Sequence, residues 1–224
     1  AHQQMASYLD IPKEYYDRMK TAAPDILTTS INRWFEERST QQRMVRTLDG
    51  SVRALLSDRY RPLENEDLAD AILPALGDLD VKLLRCSLTE TKLYLKVVHN
   101  SIELDVPTGR KIGDGTHTFF DTVSPAMTIS NSEIGAGSLS FLTSIYTKMC
   151  TNMATMGSTF RKYHAGTRAD MSSDVQALLS DETRRISDQA VWMQARDITK
   201  NAFDEVQFAA LTQKLQAATE DKIE

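Results

Sequence analysis

The 224 residues are 41% hydrophobic and 25% charged, an ordinary globular composition, and the chain is long enough to bury a core without disulfides or metal. Only two cysteines, Cys86 and Cys150, occur, which excludes a disulfide framework and points to a reducing compartment. The net charge of −5 argues against a protein that coats nucleic acid by bulk electrostatics alone. No apolar run reaches the ~20 residues of a membrane span. Ala1 to Asp10 is mixed and polar, without a secretory pattern. The expectation is a cytoplasmic protein with no membrane partner.

Charge is blocked along the chain. Between Arg43 and Arg61 five arginines (43, 46, 53, 59, 61) face two acids, Asp49 and Asp58. Between Lys148 and Arg168 there are four basic residues (Lys148, Arg161, Lys162, Arg168) and no acid. Between Pro62 and Asp80 there are six acids (Glu64, Glu66, Asp67, Asp70, Asp78, Asp80) and no base. Such blocks usually mark solvated faces or surfaces for a charged partner.

In chain order, residues 1–37 read as helices. Pro12 and Pro24 suit first turns, and Ile26, Leu27, Ile31, Trp34 and Phe35 give an apolar stripe. Asp49-Gly50 then sits between two short apolar runs, a strong hairpin signal, and predicts two antiparallel strands over 43–56. A two-residue loop there sets Arg46 directly opposite Arg53 on one face, an unfavourable pairing unless an anion lies over it. Ser57 to Pro62 reads as a turn. Asn65 is a candidate cap for an acidic helix through Leu68, Ile72 and Leu76, which Pro74 should end or kink.

Strands are predicted at Val81–Leu88, Lys92–Val98 and Ser101–Val106, with a turn at Thr89-Glu90. A glycine loop follows over Thr108–Thr116, with Gly109, Gly113 and Gly115. Next come a β-prone run over Thr118–Ile129, broken by Pro125, and a polar turn from Asn131 to Gly137. A strand or helix start at Leu139–Leu142, an apolar-sided helix from about Ser144 to Met156 and a strand at Phe160–Ala165 complete the body. From Ser173 to Ala218 the pattern is helical, with Ser173 or Asp174 as cap. The fold class expected is α+β: N-terminal helices, an antiparallel sheet with a central hairpin and packed helices, and a helical C-terminal tail. The boundary falls near 166–172, giving an α+β domain over 1–168 and a tail over 169–224.

Chemical motifs are sparse. The glycine loop has neither the Gly-Lys-Ser/Thr of a P-loop nor the glycine spacing of a dinucleotide fingerprint. His99, His117, His164, Cys86, Cys150 and Glu133 show none of the short spacings of a zinc site, so no metal and no cofactor are expected. Cys150 with His164 is a formal nucleophile pair, but Cys150 shares its apolar stripe with Tyr146, Met149 and Met153, the setting of a buried small thiol. The basic segments carry more. Tyr60 lies between Arg59 and Arg61, and Phe160 and Tyr163 flank Arg161 and Lys162. Arginine forks hold phosphate and aromatic faces stack bases, as a single-strand groove requires. The candidate nucleic-acid set is therefore Arg46, Arg53, Arg59, Tyr60, Arg61, Lys148, Arg161, Lys162 and Arg168. The bland alternative is a solvated strand face paired with the acidic 62–80 block.

Several ordered motifs resemble a family. Leu56-Ser57-Asp58-Arg59-Tyr60-Arg61-Pro62-Leu63-Glu64-Asn65 is similar to the central motif of the phage and plasmid-like proteins called domain of unknown function 932. So are Asn131-Ser132-Glu133-Ile134-Gly135-Ala136-Gly137-Ser138, Cys150-Thr151-Asn152, His164, and the opening Ile11-Pro12 with Tyr15, Tyr16 and Met19. The likeness spans roughly residues 8–168 and departs at Met153, where many members have glycine. It adds Asn131, Glu133, Asn152 and His164 as site or structural candidates. It implies a mobile-element protein in a bacterial host, with roles in DNA transactions, host takeover or anti-defence, and no settled activity. Three functions compete: a single-stranded DNA binder acting in recombination or annealing as a homo-oligomer, a nucleic-acid enzyme with Glu133 and His164 near one cleft, and a phage interaction or structural protein.

Overall fold

The computed structural model describes residues 1–112, 117–148, 153–154, 159–164 and 180–220. The protein is α+β, with helices at both ends and two antiparallel sheets. It divides into two units: Ala1–Pro62 with the segment beginning at His164, and Leu63–Tyr163 with the C-terminal helices. This division falls elsewhere than the 168/169 boundary read from the sequence.

The first unit begins with three helices, α1 (His2–Tyr8), α2 (Lys13–Ala22) and α3 (Pro24–Glu37). Pro24 occupies the first position of α3, where its missing N–H costs nothing. Pro12 lies just ahead of α2. Leu27 is buried with Ala6, Leu9, Ile11 and Tyr16, and Ile31, Trp34 and Phe35 pack against that cluster. Ile26, counted in the predicted stripe, is 55% exposed.

The predicted hairpin follows: β1 (Arg43–Leu48) pairs with β2 (Ser51–Ser57). Asp49 at φ 49° and Gly50 at φ 74° both occupy the left-handed region that a two-residue turn of this hand demands. One expectation fails. The register shifts between Arg46 and Thr47, so Arg46 pairs with Ala54 and not with Arg53. Arg53 is the extra residue of a bulge, and the two arginines are not directly cross-strand. The irregularity removes the like-charge pairing that an ideal ladder would impose. Ala54, Leu55 and Leu56 are buried, and Leu55 N–H donates to Gln4 Oε1 of α1 at 3.3 Å.

The second unit opens with α4 (Asn65–Gly77), whose Leu68, Ile72, Ala75 and Leu76 are buried on one face. Two expectations are corrected here. Glu64, not Asn65, stands at the N-cap, with no side-chain cap bond. Of the two outcomes expected at Pro74, an end or a kink, the end does not occur: Pro74 lies inside the helix, which runs on to Gly77. The main sheet then forms from β3 (Val81–Leu88), β4 (Leu93–His99), β5 (Leu104–Ile112), β6 (His117–Asn131), β7 (Leu139–Thr147), β8 (Met153–Ala154) and β9 (Thr159–Lys162). The order is β3-β4-β6-β7-β8, with β5 beside β6 and β9 beside β7.

The 15-residue β6 passes through Pro125 unbroken, contrary to the sequence reading. β5 pairs with β6 only up to Val123, and β4 only from Ala126 onward. Pro125 falls in the gap between them, where its missing N–H is tolerated. The strand β5 extends into the predicted glycine loop, whose Gly113–Thr116 part lies outside the described residues. The helix predicted from Ser144 is instead the end of β7. Cys150, Asn152, Arg168 and the predicted caps Ser173 and Asp174 also lie outside the described residues.

Two C-terminal helices close the unit. Ser180 caps α5 (Asp181–Asn201) by accepting from Thr183 N–H at 3.2 Å, and α6 (Glu205–Glu220) follows. They form the C-terminal helical tail read from the sequence, and they seat on the sheet. Val191, Ala195 and Phe203 join Leu68, Ile72, Leu95, Val97, Met127, Ile129, Leu139 and Phe141 in one core. Phe208 packs with Val106, Val123 and Ile145. By strand register all these sheet residues share one face, Val106 through its pairing with Asp121, so α4, α5 and α6 cover one face of the sheet. The face away from them carries Ser130, Ser140 and Arg161.

Candidate functional site

The candidate residues fall in three places. Arg46, Arg53, Arg59, Tyr60, Arg61 and His164 belong to the first unit; Lys148, Arg161, Lys162, Asn131 and Glu133 belong to the second. Arg168 and Asn152 lie outside the described residues. Glu133 and His164, offered together for catalysis, therefore belong to different units.

In the first unit the bulged hairpin presents Arg46 and Arg53 half-buried, and the turn beyond it presents Arg59 in the open. Arg43, at the start of β1, lies over the Tyr8 ring at 4.5 Å, with Arg38 at 5.2 Å from the same ring. Cation–π contact helps to fix both guanidinium groups, and Arg38 is also paired with Asp10 at 2.6 Å. The Tyr60 ring stacks on His164 at 5.1 Å with an interplanar angle of 3°. Arg61 N–H donates to His164 O at 2.8 Å, and His164 Nδ1 lies 3.2 Å from Arg61 O. His164 is buried, and its geometry is that of a clamp on the Tyr60-Arg61 turn. Residues 1–62 hold ten basic against eight acidic side chains, a net +2. Since the whole chain has 26 against 31, residues 63–224 hold 16 against 23, a net −7. The negative overall charge therefore hides a basic first unit.

In the second unit the motif Asn131-Ser132-Glu133 is a joint. Asn131, 1% exposed, donates through Nδ2 to Leu63 O at 2.8 Å and to Asn65 Oδ1 at 3.0 Å. Asn65 N–H donates to Glu133 Oε1 at 2.9 Å, so a carboxylate sits at the N-terminus of α4, where it satisfies an orphan donor and opposes the helix dipole. Ser132 donates to Thr91 O at 2.7 Å and accepts from Ala136 N–H at 3.0 Å. The bond from Asn65 N–H is of the kind that the structural role weighed for Glu133 requires.

That joint borders a cavity of about 180 Å³ lined by Lys92, Ser130, Asn131, Gly137, Ser138, Ser140 and Arg161. Of these the sequence singled out Asn131 and Arg161 as site candidates and passed over Lys92 and the serines. No local signal marks those residues, because they meet through sheet register: Ser130 pairs with Ser140, and Ser140 with Arg161.

Other candidates resolve into structure. Lys148 is 2.5 Å from Glu103, which leaves it poorly placed for a phosphate. His99 Nδ1 accepts from Ser101 N–H at 3.2 Å and Ile102 N–H at 3.1 Å, an anchor for the chain after β4. Cys86 is an exposed free thiol. Among the described residues no cluster of His, Cys, Asp and Glu is arranged to hold a metal ion. No helix among them is long and apolar enough to cross a membrane. Near α4, burial first and then Glu64, Glu66, Asp188 and Asp70 push the Asp67 carboxyl above the usual carboxylate range. Asp80 is held below that range by hydrogen bonds from Ser101 and Asn100. No protein-family model, curated protein or solved structure matches this chain.

Proposed function

We propose that this chain is a relative of the domain of unknown function 932 proteins and binds nucleic acid, single-stranded DNA foremost, through the first unit. The charge asymmetry carries this reading: five arginines lie within 43–61 of a unit with net +2, while the remainder of the chain is net −7. Arg53 is the extra residue of the hairpin bulge and Arg46 lies across from it on β1, and Arg59, Tyr60 and Arg61 follow on the turn that leaves β2. Guanidinium forks suit phosphate, and aromatic rings beside them are the residue type on which bases stack. Work in recombination or annealing as a homo-oligomer, in the cytoplasm of a bacterial host, belongs to the same reading. A second reading, an interaction protein of a phage, draws on the exposed Val45, Leu48 and Val52 of the same hairpin.

Titration with single-stranded and duplex DNA at two salt concentrations separates the two. A polyanion site loses affinity steeply as salt rises, because phosphate contacts release counterions. Replacing Arg46 and Arg53 together by alanine should flatten the dependence of log affinity on log salt by roughly 0.7 per lost single-strand phosphate contact. No binding even at low salt, or an unchanged double variant, rejects the nucleic-acid reading in favour of the interaction protein.

A further inference from the structure

The cavity on the sheet face away from α4–α6 is built as carefully as the joint beside it. Its floor is a cross-strand row: Ser130 of β6 pairs with Ser140 of β7, which pairs with Arg161 of β9. Directly paired residues share a face, so the three side chains stand side by side. Lys92 closes the opposite side from the β3–β4 turn. That turn is pinned: Thr89 N–H donates to Lys92 O at 2.9 Å, and Lys92 N–H donates to Thr89 Oγ1 at 3.0 Å. Ser132 then ties the turn to the 131–137 segment through Thr91 O at 2.7 Å. Gly137 completes the arrangement. A Cβ at that position would lie 3.1 Å from Lys92 Cε and 3.3 Å from Nζ, so its absence lets the lysine lie flat across the cavity rim.

The lining holds two cations, three serine hydroxyls and no carboxylate. Neither Lys92 nor Arg161 has an ion-pair partner among the described residues. At neutral pH this collection offers ammonium, guanidinium and hydroxyl donors to one small volume. A volume near 180 Å³ is below the ~300 Å³ at which drug-sized ligand pockets begin. It suits a single charged head group. We propose that this cavity binds a phosphate monoester, the terminal phosphate of a nucleotide or of a strand end. A carboxylate has two oxygens to satisfy this many donors; a monoester has three and carries about −1.5 to −2 of charge at neutral pH. The site lies in the second unit and does not depend on the hairpin reading.

Calorimetric titration of the full chain with dAMP, inorganic phosphate and sodium acetate tests it. Phosphate and dAMP should bind and acetate should not. Lys92→Ala and Arg161→Ala should each weaken dAMP binding roughly tenfold or more, since each removes a charge-assisted contact. Both variants should keep the wild-type unfolding midpoint. Affinity should fall below about pH 6, where the monoester takes up its second proton. An oligonucleotide with a 5′-phosphate that outbinds both its 5′-hydroxyl twin and dAMP identifies a strand end; equality with dAMP identifies a free nucleotide, and either supports the site. The Arg46/Arg53 double variant should bind dAMP as the wild type does, so failure of one proposal is distinguishable from failure of the other. Absence of heat with both phosphate and dAMP, unchanged affinity in both cavity variants, or equal binding of acetate overturns the assignment.

Discussion

The β1–β2 hairpin and the segment closing β6 are both polar chain reversals, yet they use their polar groups in opposite directions. Around Asp49-Gly50 the chain turns on local backbone geometry, and residues 47–52 are all exposed. Around Asn131-Ser132-Glu133 the side chains turn inward: Asn131 is 1% and Ser132 0% exposed, and together with Glu133 they hold the 63–65 segment and the 89–92 turn. A hairpin of the first kind is a surface device whose side chains are available to a partner. A joint of the second kind spends its hydrogen-bonding capacity inside the fold.

The largest effect that tests this contrast is at Asn131. Asn131→Ala strands the Leu63 carbonyl and the Asn65 side chain in the interior, and should cost about 2–3 kcal/mol of unfolding free energy. Arg46→Ala and Arg53→Ala, at half-buried positions of the hairpin, should each cost less, about 1 kcal/mol. Urea unfolding monitored by circular dichroism measures all three. An Asn131→Ala variant as stable as the arginine variants would break the comparison.

The hairpin was legible in the sequence because its cause is local: Asp-Gly takes the left-handed conformations the turn demands, whatever surrounds it. The bulge at Arg53 was not, since it depends on how β2 must turn Ala54, Leu55 and Leu56 into the interior. The sequence predicts a helix from about Ser144 because Tyr146, Met149, Cys150 and Met153 space apolar residues as a helix does. In β7 Ser144 and the adjacent Ile145 are both buried, so the strand shows no clean alternation there. Pro125 looked like a break because its tolerance rests on where two other strands stop. The joint was legible as a turn but not as a fastening, for its partners at 63–65 lie far away in sequence. The cavity was least visible of all: Lys92 meets Arg161 only through the register of β4, β6, β7 and β9.

A smaller effect sharpens the joint itself. Glu133→Gln keeps an oxygen to accept from Asn65 N–H but removes the charge opposing the α4 dipole, so a loss of about 0.3–1 kcal/mol is expected. Glu133→Ala removes the acceptor as well and should lose about 1–2 kcal/mol, in the range of a lost helix cap. Equal stability of wild type and both variants would show that the carboxylate does not fasten the helix.

The smallest effect has the opposite sign and comes from the same first turn of α4. Glu133 approaches that turn with a donor to meet it; Asp67 stands in it among Glu64, Glu66, Asp70 and, from α5, Asp188. Burial and these like charges raise the Asp67 carboxyl, so the folded state holds its proton more tightly than the unfolded chain does. A raised acid is a liability that appears as pH climbs through the carboxylate range and persists above it. Asp67→Asn should therefore stabilise the protein at neutral pH, by a few tenths of a kcal/mol once solvent screening at this exposed position is allowed for. The gain should vanish near pH 3, where the wild-type carboxyl is protonated in both states, and shrink in high salt. Asp80 supplies the control. Its carboxyl is lowered by Ser101 and Asn100, so its contribution is present at neutral pH and is lost as pH falls through the lowered value; Asp80→Asn should destabilise where Asp67→Asn stabilises. Thermal unfolding of both variants across pH 3–7 reads the two signs directly, and a stabilisation by Asp67→Asn that is independent of pH would show that the clustered charges around α4 are not its cause.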